Sequence, residues 1–380
     1  MPVMRLATVF GVASRIMSVT TLLLKRLTLV VAIIAGGYNS LSVFGQQVLG
    51  LDDALIQTLV PADANCCRLI PGDQLWVIST RQSGESCACS DPEQVSVQVM
   101  QFVDCHWRGS TWEALQRECA QNGDLTNLIY VHGNFTDFGW SLRRGCQLYE
   151  NLLGSGGARG RRLCNRSGCA GQVCRCQPVR VILWSWQSER EALPPCDFWI
   201  KSDRAQKEGA RFNAALRDLP MERPVVIGYS LGVQVILAAL LQDEAAADRS
   251  PWRVALLAPV LNCDFPAYLC QTMSLHQRVE SMVLFTNCRD RALKTANRAV
   301  RLRTRSTPYD QYHLAARLSQ LTSDFRQYEI GCESGGKHAI VHYTEQSTVQ
   351  VIVRELFQQA HPQSDGSLNG PPEDQGQDDQ

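Results

Sequence analysis

The chain has 380 residues, and its 37 lysines and arginines balance its 37 aspartates and glutamates, so the formal net charge is zero. Without a net field there is no general attraction to nucleic acid or to an anionic membrane, so no general binding partner follows from the charge, and we expect no nucleic acid partner. The hydrophobic content of 45% is enough for a large core, and this length fits one large α/β domain or two ordinary ones.

The N-terminus has the pattern of an export signal. Basic residues precede an uncharged apolar run over 27–35, and small and polar residues follow it. This pattern predicts a secretory signal peptide over residues 1–45, with Met17 as an alternative start. A membrane anchor is the rival interpretation, but the apolar run is shorter than the ~20 residues that span a bilayer. We therefore expect a protein that is secreted or held in the periplasm or cell envelope.

The first part of the mature chain alternates predicted strands and helices after an N-terminal tether over residues 46–73. Strands are predicted at 74–81, 95–103 and 128–131, and helices at 112–119, capped by Ser110 or Thr111, and at 142–153. The segment 154–177 is rich in glycine, arginine and cysteine and has no periodicity. It is predicted to be a surface insertion.

The chain contains 16 cysteines, an unusual number for a cytosolic enzyme. The even count favours disulfides in an oxidising compartment. Four of the cysteines lie within the insertion, at positions 164, 169, 174 and 176, and their spacing matches no common structural zinc site. We expect disulfides whose pairing stays open, no metal and no other cofactor.

The alternation continues beyond the insertion. Strands are predicted at 179–186, 224–227, 253–259, 282–286 and 325–330, and helices at 204–219, 233–241 and 349–360. Strands that alternate with helices predict an α/β fold with a mostly parallel central sheet and helices on both faces. We expect a single domain over residues 74–360 that carries the cysteine-rich insertion, and a disordered tail over 361–380.

The segment from Gly228 to Gly232 reads Gly-Tyr-Ser-Leu-Gly and lies between an apolar strand and an apolar helix. Glycines at both ends allow a turn that is too tight for a side chain. Such a turn lifts the serine hydroxyl clear of the sheet, at a helix N-terminus that favours developing negative charge. The pattern predicts Ser230 as a nucleophile, and a glycine-rich turn without a catalytic role is the simpler alternative.

A serine nucleophile needs a histidine base and a carboxylate, which in this setting follow the serine in the order acid, then histidine. Asp290, just beyond the strand that ends at Thr286, is the preferred acid, and Asp264, after the preceding strand, is the alternate. His338 follows the last strand through a glycine-rich loop and is the preferred base. His342 is the alternate, in an apolar stretch that also suits a packed histidine.

Two backbone N–H groups must hold the negatively charged oxygen of the tetrahedral intermediate. One is expected from Leu231, directly after the serine, and the other from Asn134, in the loop that follows the 128–131 strand. His132 begins this loop and precedes the serine in the chain. We expect it to be a structural histidine.

These segments, in this order, resemble the α/β-hydrolase (esterase/lipase) superfamily, and more narrowly a bacterial family of uncharacterised hydrolases. The resemblance is carried by Tyr130–Asn134, Trp184–Ser188, Gly228–Gly232, Leu257–Pro259 and Asn287–Leu293, over roughly residues 74–360. It implies Ser230, Asp290 and His338 as the catalytic triad. Tyr229 and Gln187 depart from the family pattern, which has histidine and proline there, and the insertion is additional.

The sequence therefore predicts a serine hydrolase of the carboxylesterase or lipase type, which cleaves a small-molecule or lipid acyl substrate through an acyl-enzyme intermediate. The alternative is a disulfide-stapled protein that keeps the hydrolase scaffold without turnover and has a binding or surface role, because a fold does not by itself determine a function.

Overall fold

The computed structural model describes residues 67–81, 97–123, 125–154, 178–192, 196–242, 250–261, 278–296 and 311–358. Nine strands in these segments form one sheet: β1 (Gln74–Ser79), β2 (Gln98–Val103), β3 (His106–Ser110), β4 (Thr126–Val131), β5 (Val179–Ser185), β6 (Val225–Tyr229), β7 (Trp252–Leu257), β8 (Val279–Thr286) and β9 (Asp324–Glu329). The helices in the same segments are α1 (Trp112–Gln121), α2 (Phe138–Leu152), α3 (Cys196–Asp218), α4 (Gly232–Leu241), α5 (Gln311–Leu318), α6 (Gly331–Ser334), α7 (Ile340–Thr344) and α8 (Ser347–Gln358).

The sheet is mostly parallel. Its strands lie in the order β3-β2-β1-β5-β4-β6-β7-β8-β9, and only β2 runs antiparallel to its neighbours. Every residue of β4 and of β6 is buried, as expected for central parallel strands that are covered on both faces. The predicted α/β class with a mostly parallel sheet is confirmed.

The direction of the crossovers assigns helices to two faces of the sheet. From β4 the chain passes through α2 to β5 on one side, and from β6 it passes through α4 to β7 on the other side. Because parallel crossovers are right-handed, connections that run in opposite directions carry their helices on opposite faces. Helix contacts agree, since α3 packs against α4 whereas α2 packs against α7 and α8. The direction of the crossovers therefore changes between β4 and β6. In open α/β sheets, ligands bind in the crevice outside the carboxyl ends of the strands at such a point.

A hairpin replaces the single strand that the sequence predicted at 95–103. β2 turns directly into β3, with Val103 paired to His106. The two turn residues, Asp104 and Cys105, both have left-handed backbones, with φ values of 51° and 64°. A two-residue turn with two positive φ values is a type I′ turn, whose usual sequence signal is Asn-Gly or Asp-Gly. Here cysteine stands where glycine is expected, so the turn signal is missing from the sequence.

Two helices begin earlier than the sequence predicted. α2 begins at Phe138 rather than Leu142, because the side chain of Asp137 caps it by accepting a hydrogen bond from a first-turn N–H at 2.7 Å. α3 begins at Cys196 rather than residue 204. Its first turns bury charged residues, including Asp197, and this breaks the apolar periodicity by which a helix is recognised.

Aromatic side chains fill the core between the sheet and α3. The ring of Phe212 packs edge-on against Trp184 and Trp252, with centroid distances of 5.0 and 5.8 Å. All three side chains are buried. Among the described helices, none is both long and apolar enough to cross a membrane.

Several predictions concern residues that the structure does not describe. These are the signal peptide over 1–45, most of the tether over 46–73, the insertion from residue 155 onward and the tail over 361–380. The alternate acid, Asp264, also lies outside the described residues.

Candidate active site

Ser230 lies at the sharp turn between β6 and α4. Its φ is 55°, a left-handed conformation that costs a residue with a side chain roughly 1–3 kcal/mol. The surrounding backbone holds the turn in place. The Ser230 N–H donates to the Leu257 carbonyl at 2.9 Å, and the Ser230 carbonyl accepts from the Val260 N–H at 3.3 Å. At Gly232 a Cβ atom would lie 2.3 Å from the Val131 carbonyl oxygen, so only glycine fits there.

The structure brings together the three side chains that the sequence predicted as a triad. His338 Nε2 lies 3.2 Å from Ser230 Oγ, and His338 Nδ1 lies 2.6 Å from Asp290 Oδ2. The Asp290 side chain is fully buried, whereas 26% of the His338 side chain is exposed. The two imidazole nitrogens thus face the hydroxyl and the carboxylate, an arrangement in which histidine can accept a serine proton.

Four hydrogen bonds converge on the Asp290 carboxylate. His338 and the Tyr343 hydroxyl both contact Oδ2 at 2.6 Å, and the N–H groups of Ala292 and Leu293 donate to Oδ1 at 2.9 and 3.1 Å. Burial alone would raise the pKa of Asp290, but the hydrogen bond and charge of His338, followed by the bonds from Tyr343 and Leu293, bring the pKa below its usual value. The carboxylate is therefore held ionised, and this form orients a histidine and stabilises its charged state.

The side chain of Asn287 connects the loop that carries Asp290 to the loop that carries His338. It lies at the end of β8 and is 1% exposed. Its side-chain N–H groups donate to the Ser334 hydroxyl at 2.8 Å and to the Gly335 carbonyl at 3.0 Å. Gly335 has a φ of 63°, which glycine adopts without strain. The loops that carry Asp290 and His338 are thus fixed to each other directly.

The alternate base, His342, does not take part in this arrangement. The nearest charged partner of His342 is Glu345, whose Oε2 lies 3.8 Å from the histidine Nδ1, and the His342 side chain is 31% exposed. Its position in α7 turns it to the surface instead of the packed setting that the sequence suggested. His338 is thus the histidine that reaches Ser230. The alternate acid, Asp264, lies outside the described residues.

The expected oxyanion donors lie on two adjacent elements. Leu231 is the residue before α4, and Asn134 is in the loop after β4. Within the part of the chain that the structure describes, neither backbone N–H donates to an acceptor. Gly133 allows the loop to approach the serine closely, since a Cβ there would lie 2.8 Å from Ser230 Cβ. The Asn134 Oδ1 atom is buried without a hydrogen-bond partner.

His132 holds the loop after β4 in place through hydrogen bonds, as the sequence predicted for a structural histidine. Its Nδ1 lies 2.9 Å from the Gly133 carbonyl, which can only accept, so Nδ1 carries the proton and donates. Nε2 then accepts from the Trp186 N–H and from Arg81, both at 3.2 Å. Burial, and secondly the charge of Arg81, lower the pKa of His132 to about 3. The ring therefore stays neutral near pH 7 and acts as a structural connector between β4 and β5.

Among the described residues, no group of three or more histidine, cysteine, aspartate or glutamate side chains is arranged to hold a metal ion. A cavity of about 320 Å³ lies at the amino ends of β6 and β7, lined by residues that include Met221 and Trp252. This is the opposite edge of the sheet from Ser230, so we assign the cavity no role in catalysis.

Sequence reasoning missed two residues of the site, Asn287 and Tyr343. Asn287 directly follows β8 and could have been singled out as a polar residue at a strand end. Tyr343 gives no local signal, because it lies among apolar residues of α7 and contacts Asp290 only through the fold.

Comparison of the chain with protein-family models, with curated proteins and with solved structures finds no match.

Proposed function

We propose that this protein is a serine hydrolase of the α/β-hydrolase type that cleaves carboxylic esters. The observation that carries the proposal is the continuous chain of contacts from Ser230 Oγ to His338 and from His338 to the buried Asp290. The strained left-handed backbone of Ser230 adds support, because strain of this kind is concentrated at functional sites.

In the proposed reaction, Ser230 Oγ attacks the ester carbonyl carbon while His338 Nε2 takes its proton. Asp290 holds the imidazole in the correct tautomer and stabilises the imidazolium that forms. The N–H groups of Leu231 and Asn134 bind the oxyanion, and each such donor is worth roughly 10²–10³ in rate. His338 then gives the proton to the departing alcohol, and water releases the acyl group through the same steps in reverse order.

The acyl substrate is a small molecule or a lipid. Phe135 follows Asn134 directly, has a φ of 55° and is 56% exposed, so an aromatic ring stands at the surface next to the oxyanion loop. Such a ring offers apolar contact to the acyl or alcohol part of a substrate. The proposal includes export, which rests on the leader pattern over residues 1–45.

A fluorophosphonate probe tests the proposal, because an activated serine displaces fluoride and keeps the phosphonyl group. We expect the full-length protein to be labelled at Ser230 and Ser230→Ala to remain unlabelled. Ser281→Ala is the matched control, since Ser281 is a buried serine in β8 with no contact to the triad, and this variant should label normally.

A negative labelling result would contradict the proposal that the protein is an enzyme. If the folded protein takes up no label, or if Ser230→Ala is labelled equally, Ser230 is not an activated nucleophile. The binding or surface role without turnover would then be the remaining interpretation. Hydrolysis of p-nitrophenyl acetate and butyrate by the labelled and unlabelled variants provides the parallel measure of turnover.

A further inference from the structure

Two cysteines far from the active site are buried side by side. Cys67 precedes β1 and is 2% exposed, and Cys146 lies in α2 and is 5% exposed. Both are free thiols in the structure, and the side chain of Cys67 forms a hydrogen bond with the Cys146 thiol. We propose that Cys67 and Cys146 are joined by a disulfide in the mature protein.

Other contacts hold the segment before β1 against α2 next to the two cysteines. The Ile70 N–H donates to the Tyr149 hydroxyl at 2.8 Å, and this hydroxyl donates to Asp73 Oδ2 at 2.6 Å. The backbone of Arg68 forms a hydrogen bond with the Glu150 carboxylate. The segment before β1 therefore lies along one face of α2. The contact between the two sulfurs is one of several contacts that hold this segment against the helix.

The bond forms by two thiol–disulfide exchanges with a small disulfide such as oxidised glutathione. A protein thiolate attacks one sulfur of the oxidant, so that a mixed disulfide forms and one reduced thiol leaves. The second protein thiolate attacks the mixed disulfide and releases the other reduced thiol. The protein loses two S–H bonds and gains one S–S bond, while the oxidant loses its S–S bond and gains two S–H bonds.

The surroundings of Cys146 determine when the bond can form. Contact with Cys67, and secondly burial, raise the pKa of the Cys146 thiol, so that its reactive thiolate is rare in the folded, reduced protein. Both thiols are also buried in the folded protein, so a soluble oxidant reaches them during folding, before the segment is fully docked. Once closed, the buried bond is inaccessible to soluble reductants until the protein unfolds.

The disulfide supports the active site from a distance. α2 begins immediately after the oxyanion loop, with Asp137 as its cap. A covalent link between α2 and the segment before β1 fixes the helix that this loop enters. The link requires an oxidising compartment, in agreement with the export that the leader predicts. The proposal of this disulfide does not rest on the proposed catalytic activity.

The test uses the full-length protein folded in a buffer of reduced and oxidised glutathione. The protein is alkylated with iodoacetamide in denaturant without reductant, digested, and analysed by mass spectrometry. We expect a peptide linked through Cys67 and Cys146, with neither residue alkylated. Cys119 is the internal control, because it is equally buried at 1% exposure and no described cysteine contacts it. It should be alkylated in the same sample.

Variants identify the partner, since Cys66 is adjacent to Cys67 in the chain. The linked peptide should persist in Cys66→Ser and vanish in Cys67→Ser, where Cys146 becomes alkylated. The variant with both Cys67→Ala and Cys146→Ala, folded in the same oxidising buffer as the parent, should have a melting temperature roughly 5–10 °C lower than the parent. Alkylation of both cysteines in the unreduced protein, or a link from Cys146 to Cys66, would overturn the proposal.

Discussion

Tyr343→Phe is the most informative single change, because it removes one hydroxyl and leaves every atom of the triad in place. The Tyr343 hydroxyl donates to Asp290 Oδ2 at 2.6 Å, the oxygen that also faces His338, and both Tyr343 and Asp290 are fully buried. If the Tyr343 hydroxyl is removed, water cannot readily take its place as a donor to Asp290, because the site is buried. If Tyr343 positions the carboxylate for catalysis, the variant should lose activity as well as stability.

The magnitude follows from the type of bond. A hydrogen bond to a charged group contributes about 1.5–3 kcal/mol, and about 1.4 kcal/mol corresponds to a factor of ten in rate. Because Asp290 keeps its other three hydrogen bonds, we take the lower end of this range. We expect kcat to fall about tenfold with KM little changed, and the free energy of unfolding to fall by about 1.5 kcal/mol near pH 7.

The pH dependence of stability gives a second readout with a defined sign. The folded-state pKa of Asp290 is lowered, so its stabilising contribution is present above the unfolded pKa of about 3.9 and is lost as pH falls through the folded pKa. Tyr343→Phe removes one of the causes of the lowered pKa, so the pKa rises and this contribution shrinks. The stability difference between the parent and the variant should therefore narrow as pH falls below about 4.

Tyr149→Phe is the matched control. Its hydroxyl donates to Asp73 Oδ2 at the same distance of 2.6 Å, but Asp73 lies before the amino end of β1, at the opposite edge of the sheet. We expect a similar loss of stability in urea denaturation and unchanged ester hydrolysis. If both variants lose activity equally, or if Tyr343→Phe retains full kcat while losing stability, Tyr343 has only a structural role and the reasoning is refuted.

Two further changes test the geometry of the site. Asp290→Asn should lower kcat by about 10⁴, because the amide favours the wrong histidine tautomer, and a loss under tenfold in steady-state ester hydrolysis would remove Asp290 from the triad. Gly133→Ala should lower both kcat and the melting temperature, since its Cβ would lie 2.8 Å from Ser230 Cβ and 3.0 Å from the Tyr229 carbonyl oxygen. Gly123→Ala, where a Cβ meets nothing within 4 Å, is its control, and equal effects of the two changes would contradict the close approach.

The sequence predicted the central strands and the position of the site more accurately than the edges of the fold. Strands such as β6 are buried on both faces, so their apolar runs stand out, and Ser230 follows from the glycines around it. The hairpin at Asp104 and Cys105 escaped detection because its left-handed turn lacks the usual glycine. Tyr343 could not be predicted for a different reason, because its contact with Asp290 joins residues that are distant in the chain.

The backbone at Ser230 bears on whether the chain is an enzyme or a silent scaffold. A left-handed φ costs a serine roughly 1–3 kcal/mol, whereas glycine would adopt it freely, so a scaffold without chemistry would gain stability by losing the serine. The buried Asp290 carboxylate likewise requires four hydrogen-bond donors to offset its burial. The strained backbone and the buried charge are thus two separate energetic costs, and they fall on a serine and a carboxylate that His338 joins. Transfer of a proton from the serine is the one role that uses both, and this favours the proposed hydrolase over the silent scaffold.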